Sequence, residues 1–239
     1  MELAATTWVD ARDGLPDVAL VPTGSIEQHG PHAPLGTDLI IARAVAGRAA
    51  DRLDPPVVRT PGIPVGVSEE HRHFAGTLWV LPDAFRSYVH DVAASLASHG
   101  VEAVVFVNGH GGNVPALEEV AARLTRDGTC RAVAFTWFDA LEDPPEPMGH
   151  AGPLETAALL AIDPDLVHGD RLAAAAGDAS ERWGAWRART NLAVDVEEFS
   201  DNGVVGDPTA ASAALGEALL AEAVDGLEAV VDGVRERLG

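Results

Sequence analysis

The sequence predicts a single α/β domain over residues 1–239, with a mostly parallel sheet covered by helices on both faces. Three observations predict it. Short apolar, β-branched runs alternate along the chain with segments of amphipathic periodicity. The 239 residues are 47% hydrophobic, enough to bury one sizeable core. No internal repeat or linker divides the chain.

Strands of a parallel sheet are buried on both faces and read as continuous apolar runs. Residues 18–21 (VALV), 57–58 with 63–67, 101–107 (VEAVVFV) and 131–138 (RAVAFTWF) have that form, bounded by Gly, Pro or Asp. A helix from Thr37, its expected N-cap, to about Leu53 puts Ile40, Ile41, Ala44, Val45 and Ala49 on one face. Pro82-Asp83 opens a second helix with the stripe Phe85, Val89, Val92 and Leu96, stopped by Gly100. Asn113-Val114-Pro115 opens a third, carrying Leu117, Val120 and Leu124 as far as Gly128. Asp207-Pro208 starts a long last helix, in which Leu215, Leu219, Val224, Leu227, Val231 and Val234 recur every three to four residues. Residues 141–148 (LEDPPEPM) and about 177–201 lack periodicity and read as irregular.

Composition excludes several functions. There are 37 acidic residues against 16 basic ones, a formal charge of −21, and all the basic residues are Arg. Phosphate affinity comes from neutralising Lys and Arg, so this balance excludes nucleic acid as a partner through a basic surface. One cysteine, Cys130, permits no intramolecular disulfide, and it reads as a small buried hydrophobe. The start lacks the basic and apolar stretches of a signal peptide, and no apolar run nears the ~18 residues of a membrane span. The expectation is a cytoplasmic protein with no membrane partner. A few carboxylates are expected in a cation site. The remainder are expected on a hydrated, salt-adapted surface of the halophilic kind, heaviest at 141–148 and 195–201.

Ligands of an open parallel sheet sit beyond the carboxyl ends of the strands. Those ends carry PTGSIEQHGPH (22–32) with Thr37-Asp38, then SEEHRH (68–73), then NGHGGN (108–113). His150-Ala151-Gly152 and Glu155-Thr156 follow the Pro-rich loop. Six of the nine histidines fall there. Glu, His and Asp together are a donor set for Zn²⁺, Mn²⁺ or Fe²⁺. Glu27 and His29, two apart, share one face of an extended segment. Asp38, at a helix start that favours its charge, has two oxygens with which to bridge two ions. His110 lies between glycines, where backbone can approach a metal or substrate closely. Two bridged ions would generate a hydroxide near neutral pH. NGHGGN is neither a dinucleotide fingerprint nor a lysine-bearing P-loop, so no nucleotide cofactor is expected. No G-x-S-x-G elbow is present, which excludes serine hydrolysis of that type.

The blocks VPTGSIEQHGPHAPLGTD, GVSEEHRHFAGT, VFVNGHGGNVPAL, HAGPLETA and GVVGDPTAAS, from residue 21 to about 212, resemble the creatininase (creatinine amidohydrolase) family. The resemblance implies an α/β fold and a binuclear metal centre. It also implies hydrolysis of a C–N amide bond in a small molecule or short peptide by a metal-bridging hydroxide, with no organic cofactor, and a homo-oligomer, a hexamer favoured. Carried onto this chain, it implies Glu27, Asp38 and His110 as ligands of one divalent ion (Zn, Mn or Fe), with His29 and the bridging Asp38 on a second. Creatininases take a further ligand from a Glu two residues after the NGH histidine. Gly112 stands there instead, and Glu155 is expected to complete the second site. His150 matches the histidine beside the substrate, expected to protonate the leaving amine or to donate to the developing oxyanion.

Ser68, His71, Gly111 and Gly112 are expected to line the substrate pocket. Trp137, Trp79, Trp183 and Trp186 are expected in the core or at subunit contacts rather than stacked on substrate, and Trp137, next to the Pro-rich loop, is the one to watch beside the pocket. Three substrates fit the resemblance. Creatinine is the namesake, from which the GHGGN form departs. A formamide on a pyrimidine ribonucleotide, as in flavin and deazaflavin biosynthesis, would need cations near the site, for which Arg43, Arg59 and Arg72 are the candidates. The third is a mycofactocin-type precursor peptide trimmed of a C-terminal dipeptide; that peptidase shares the GHGGN, HAG-x-x-ET and GV-x-GDPT-x-A blocks. A non-catalytic metal-binding assembly protein is the reading from another class. Retention of Glu27, His29, Asp38, His110 and His150 together speaks against it.

Overall fold

A computed structural model describes residues 1–238. In chain order the elements are α1 (Trp8–Arg12), β1 (Val18–Thr23), α2 (Thr37–Arg52), β2 (Val58–Arg59), α3 (Pro82–Ser98), β3 (Ala103–Asn108) and α4 (Val114–Arg126). They continue with β4 (Arg131–Thr136), α5 (Pro153–Ile162), α6 (Leu172–Gly177), β5 (Trp186–Arg187), β6 (Thr190–Asn191) and α7 (Ala213–Arg235). β1 to β4 form one parallel sheet in the order β2-β1-β3-β4, and β5 pairs antiparallel with β6. This is the expected α/β architecture.

Side chains alternate along each strand, so each face of the sheet has its own core. Val18, Leu20, Ala103, Val105 and Val107 pack with Ile41 and Val45 of α2, Leu154 and Ala158 of α5, and Leu220 and Leu227 of α7. Ala19, Val21, Val104 and Phe106 pack on the other face with Phe85 and Val89 of α3 and Leu117 and Leu124 of α4. The chain leaves β1 for the outer strand β2, then crosses back to β3 on β1's other side. The strand order reverses between β1 and β3, and a crevice opens beyond their carboxyl ends. Thr23 and Asn108 are register partners at its floor.

The boundaries differ from expectation in four places. The second strand is two residues long, because Pro61 and Pro64 cannot donate to a ladder; Ile63 makes only an isolated bridge to Thr23. Thr37 is the first residue of α2 and not its cap; Gly36 is the cap, and the Thr37 hydroxyl donates to the Pro34 carbonyl at 2.7 Å. The last helix starts at Ala213, where the Ser212 hydroxyl accepts the Leu215 N–H at 3.2 Å. Asp207-Pro208 instead closes a separate single turn, with Asp207 accepting the Thr209 N–H at 2.9 Å. Residues 137–140 leave the fourth strand as another single turn. Among the described residues, no helix is long and apolar enough to cross a membrane.

Candidate metal centre

Every loop at the carboxyl edge of the sheet delivers a side chain to the crevice. The loop after β1 brings Glu27 and His29, and the first turn of α2 brings Asp38. A single turn after β2 brings His71, the β3–α4 loop brings His110, the segment before α5 brings His150, and the first turn of α5 brings Glu155. All are buried. The loops are tied to one another by amides. Asn113 donates to the Gly24 carbonyl at 3.0 Å and accepts the Val67 N–H at 2.9 Å. Asn108 brackets the His110 turn, donating to its carbonyl at 2.7 Å and accepting its N–H at 3.2 Å. Backbone approach is close here: a Cβ on Gly109 would run into the Asp38 carbonyl of α2.

Two donor groups stand side by side, each with ligand atoms within 4.8 Å of one another: Glu27, Asp38 and His110, and His29, His150 and Glu155. His110 Nδ1 lies 3.2 Å from Glu27 Oε1 and 3.3 Å from Asp38 Oδ2. His29 Nε2 lies 3.0 Å from Asp38 Oδ1 and 3.6 Å from Glu155 Oε1. Asp38 thus spans both groups, one oxygen toward each. Both oxygens of Glu27, Asp38 Oδ2 and His29 Nε2 are buried without a hydrogen-bond partner. Such groups are costly unless something satisfies them.

The far edges of the rings are satisfied. His29 Nδ1 donates to the Glu27 carbonyl at 3.1 Å and His110 Nε2 to the Val67 carbonyl at 2.7 Å, which turns the opposite nitrogens, His29 Nε2 and His110 Nδ1, toward the carboxylates. This orphaned, pre-oriented donor set fits divalent cations.

Electrostatics agree with that geometry. Burial pushes the Glu27 carboxyl up to about 7, only partly offset by His110. Burial disfavours the His110 imidazolium, but Glu27 and Asp38 outweigh it and raise its pKa to about 10. His29 is raised well above the usual histidine range because Asp38 and Glu155 overcome its burial. Burial and the His29 charge lower His150 to about 4. Burial, reinforced by His150, His110 and His29, holds His71 neutral far below the ordinary value. Glu155 is lowered despite burial, because His29 faces it.

Glu155 sits on the first turn of α5, and its Oε2 accepts the Ala151 N–H at 2.6 Å. Ala151 reaches that position with φ 51, a conformation uncommon for a residue with a side chain. Gly112 could hold no ligand here, since a Cβ would collide with the Val67 carbonyl and the His110 ring. Gly111, Gly112, His71 and His150 line a cavity of about 360 Å³ over the donor groups, together with the apolar side chains of Phe138, Met148 and Trp183.

At this cavity the structure places Ser68 and Trp183 otherwise than expected, while Trp137 keeps its core position. Ser68 is buried outside it, where its hydroxyl accepts from Ser25 at 2.7 Å and donates to the Leu78 carbonyl at 3.3 Å; it pins the loop. Trp137 is fully buried in the core, because the turn after β4 directs it under the sheet. Trp183 is the tryptophan at the site, its ring centroid 5.8 Å from His71 and 5.9 Å from His150. It lies in the irregular stretch at 177–201, where no periodic signal could single it out. Asp195 is also buried, held by Arg72 at 2.5 Å, and so leaves the hydrated surface assigned to it from sequence. A separate donor group at His73, Asp195 and Glu197 lies partly exposed, and its Asp195 is the carboxylate already paired with Arg72.

Comparison with known proteins agrees with the site. The creatininase family, described as creatinine amidohydrolase, matches residues 4–231. The chain is 39% identical over 214 residues to the mycofactocin precursor peptide peptidase of Mycolicibacterium smegmatis, covering 87% of this chain and 82% of that one. It is 31% identical over 192 residues to the creatinine amidohydrolase of Pseudomonas putida, covering 70% and 73%. The solved structure "Creatininase Mn" superposes with a TM-score of 0.80 at 27% identity, covering 99% of this chain and 98% of that one. The chain belongs to the creatininase family and is a metal-dependent amidohydrolase, acting on carbon–nitrogen bonds.

Proposed function

We propose that the chain hydrolyses a peptide bond in a short precursor peptide, the substrate class named for its mycofactocin-type relatives. Two divalent ions, Zn, Mn or Fe, would be held by Glu27, Asp38 and His110 and by His29, Asp38 and Glu155. The observation that carries the metal assignment is the cluster of buried Glu27, Asp38 and His29 atoms without hydrogen-bond partners. The cavity supports the substrate class. Its lining is acidic, imidazole and apolar, with no arginine, so it suits a neutral amide flanked by an apolar side chain and offers nothing to a nucleotide phosphate. Arg59 and Arg72 are engaged elsewhere, with Glu2 and Asp195. Gly112 leaves no room for the creatininase glutamate, which separates this site from the namesake's.

When bound by these residues, divalent ions would supply an acidified water and polarise the scissile carbonyl. The chain's own residues handle the protons. His150 donates from Nε2 to the Gln28 carbonyl at 2.6 Å, so its neutral ring turns an unprotonated Nδ1 to the cavity. It accepts the water's proton there and passes it to the leaving nitrogen as the new C–O bond forms and the C–N bond breaks. Trp183, Phe138 and Met148 give the cavity its apolar surface for the substrate side chain. A homo-oligomer, a hexamer favoured, is proposed from the family resemblance alone; the cytoplasm remains the proposed location.

The test is a hydrolysis screen in molar KCl with added Mn²⁺, Zn²⁺ or Fe²⁺, over creatinine, a formamide ribonucleotide and short peptides with apolar C-termini. Peptide cleavage is expected. Turnover of creatinine or the formamide with no peptide cleaved would replace the peptide reading. Fewer than one bound ion per chain, with no activity restored by any of the three metals, would sink the metal assignment.

A further inference from the structure

His71 and His150 pack against each other with their rings tilted by 35° at a centroid distance of 4.5 Å, and both line the cavity. Their outward edges have different chemistry, and one residue, Gln28, sets both. The Gln28 backbone carbonyl can only accept, so it takes the His150 Nε2–H. The Gln28 side-chain amide reaches His71 Nδ1 at 2.9 Å. Its orientation is fixed by backbone: Gly30 N–H donates to Oε1 at 2.8 Å, and Nε2 donates to the Gly203 carbonyl at 3.1 Å. Flipping the amide would set donor against donor at Gly30 and acceptor against acceptor at Gly203. Nε2 must therefore be the atom facing His71, and it makes His71 Nδ1 an acceptor. The proton of the neutral ring then sits on Nε2. That atom is buried, has no hydrogen-bond partner, and lies 3.4 Å from Glu27 Oε1. Glu27, His71 and His150 form a further possible ligand group. A third ion there is disfavoured, because the His71 lone pair is already taken by Gln28.

We propose that Gln28 is a positioning residue that makes two adjacent imidazoles present opposite edges to the substrate, His71 as a hydrogen-bond donor and His150 as an acceptor. This rests on the hydrolytic reading above. It divides the two roles open to His150 between two rings. His150 keeps the proton transfer. His71 Nε2–H donates to the carbonyl oxygen as it becomes the oxyanion, with no net transfer of the proton.

The primary test is spectroscopic and independent of activity. The zinc-loaded protein is labelled with ¹⁵N-histidine, and His71 is assigned by loss of its signals in His71→Asn. A pyrrole-type Nε2 and pyridine-type Nδ1 at His71 are expected. A pyridine-type Nε2 overturns the proposal whatever the turnover shows. Gln28→Glu should place an acceptor against Nδ1 and move the proton there; an unchanged His71 pattern in that variant also overturns it.

Kinetics use the short peptide that the wild type cleaves fastest. His71→Ala should lower kcat by roughly 10²–10³-fold with little change in KM, the usual effect of removing one oxyanion donor. His71→Asn, which restores an N–H, should recover part of it. Gln28→Leu should cost roughly 10–100-fold with metal content unchanged. If His71→Ala keeps wild-type kcat, the donor role is wrong. If no variant or wild type cleaves any peptide while the tautomer is as expected, the failure belongs to the substrate reading.

Discussion

His29 Nε2 lies 3.0 Å from Asp38 Oδ1, and the other oxygen of Asp38 faces His110 at 3.3 Å. One carboxylate on the first turn of α2 therefore belongs to both donor groups. Asp38→Ala should abolish both ions, measured by elemental analysis of the purified protein. Retention of two ions per chain would refute the bridging role.

Glu155 is the residue proposed to complete the second ion's ligands, a position at which Gly112 offers no side chain. Glu155→Gln keeps an acceptor for the Ala151 N–H but removes the charge facing His29. The expected result is one ion per chain, retained by Glu27, Asp38 and His110. The reciprocal change, Gly112→Glu, should not create a ligand. Its Cβ would strike the Val67 carbonyl and the His110 ring, at a cost of about 1–3 kcal/mol of overpacking. A lower melting temperature and weaker metal uptake are expected, and a stable variant with tighter metal binding would contradict this.

Metal uptake should strengthen with pH. In the metal-free protein, Glu27 and Asp38 hold a proton on His110 up to about 10 against the effect of burial. Burial keeps one on Glu27 up to about 7. A cation must displace these protons, so affinity falls as pH falls from about 10, and falls more steeply below about 7. Calorimetry at pH 7 in buffers of different ionisation enthalpy should show proton release on binding. Zero release would be inconsistent with these protonation states.

Salt should stabilise the fold. Exposed pairs such as Arg48–Glu217 and Arg52–Asp225 contribute little to stability and weaken in salt. Against them stands a formal charge of −21, whose self-repulsion salt relieves. The excess charge outweighs the few pairs, so the melting temperature should rise from low to molar KCl. A flat or falling curve would count against salt adaptation.

The histidines and carboxylates at the strand ends were legible in the sequence because parallel sheets place their loops together. Trp183 was not. It reaches the cavity from an irregular stretch, packed on Phe199 at 5.2 Å, and no local pattern encodes that approach. Ser68 looked like a pocket residue by position in its block, but a hydroxyl contact with Ser25, 43 residues away, turns it inward.

The sequence by itself determined the layered α/β architecture, through its apolar runs and helical stripes. It also determined the chemical nature of the centre, through Glu27, His29, Asp38, His110, His150 and Glu155. The tertiary structure decided which edge of each imidazole faces the cavity. Val67 fixes His110, and Gln28, itself held by Gly203, fixes His71 and His150. Hydrogen-bond polarity depends on partners brought together from distant loops, and such partners exist only once the chain has folded.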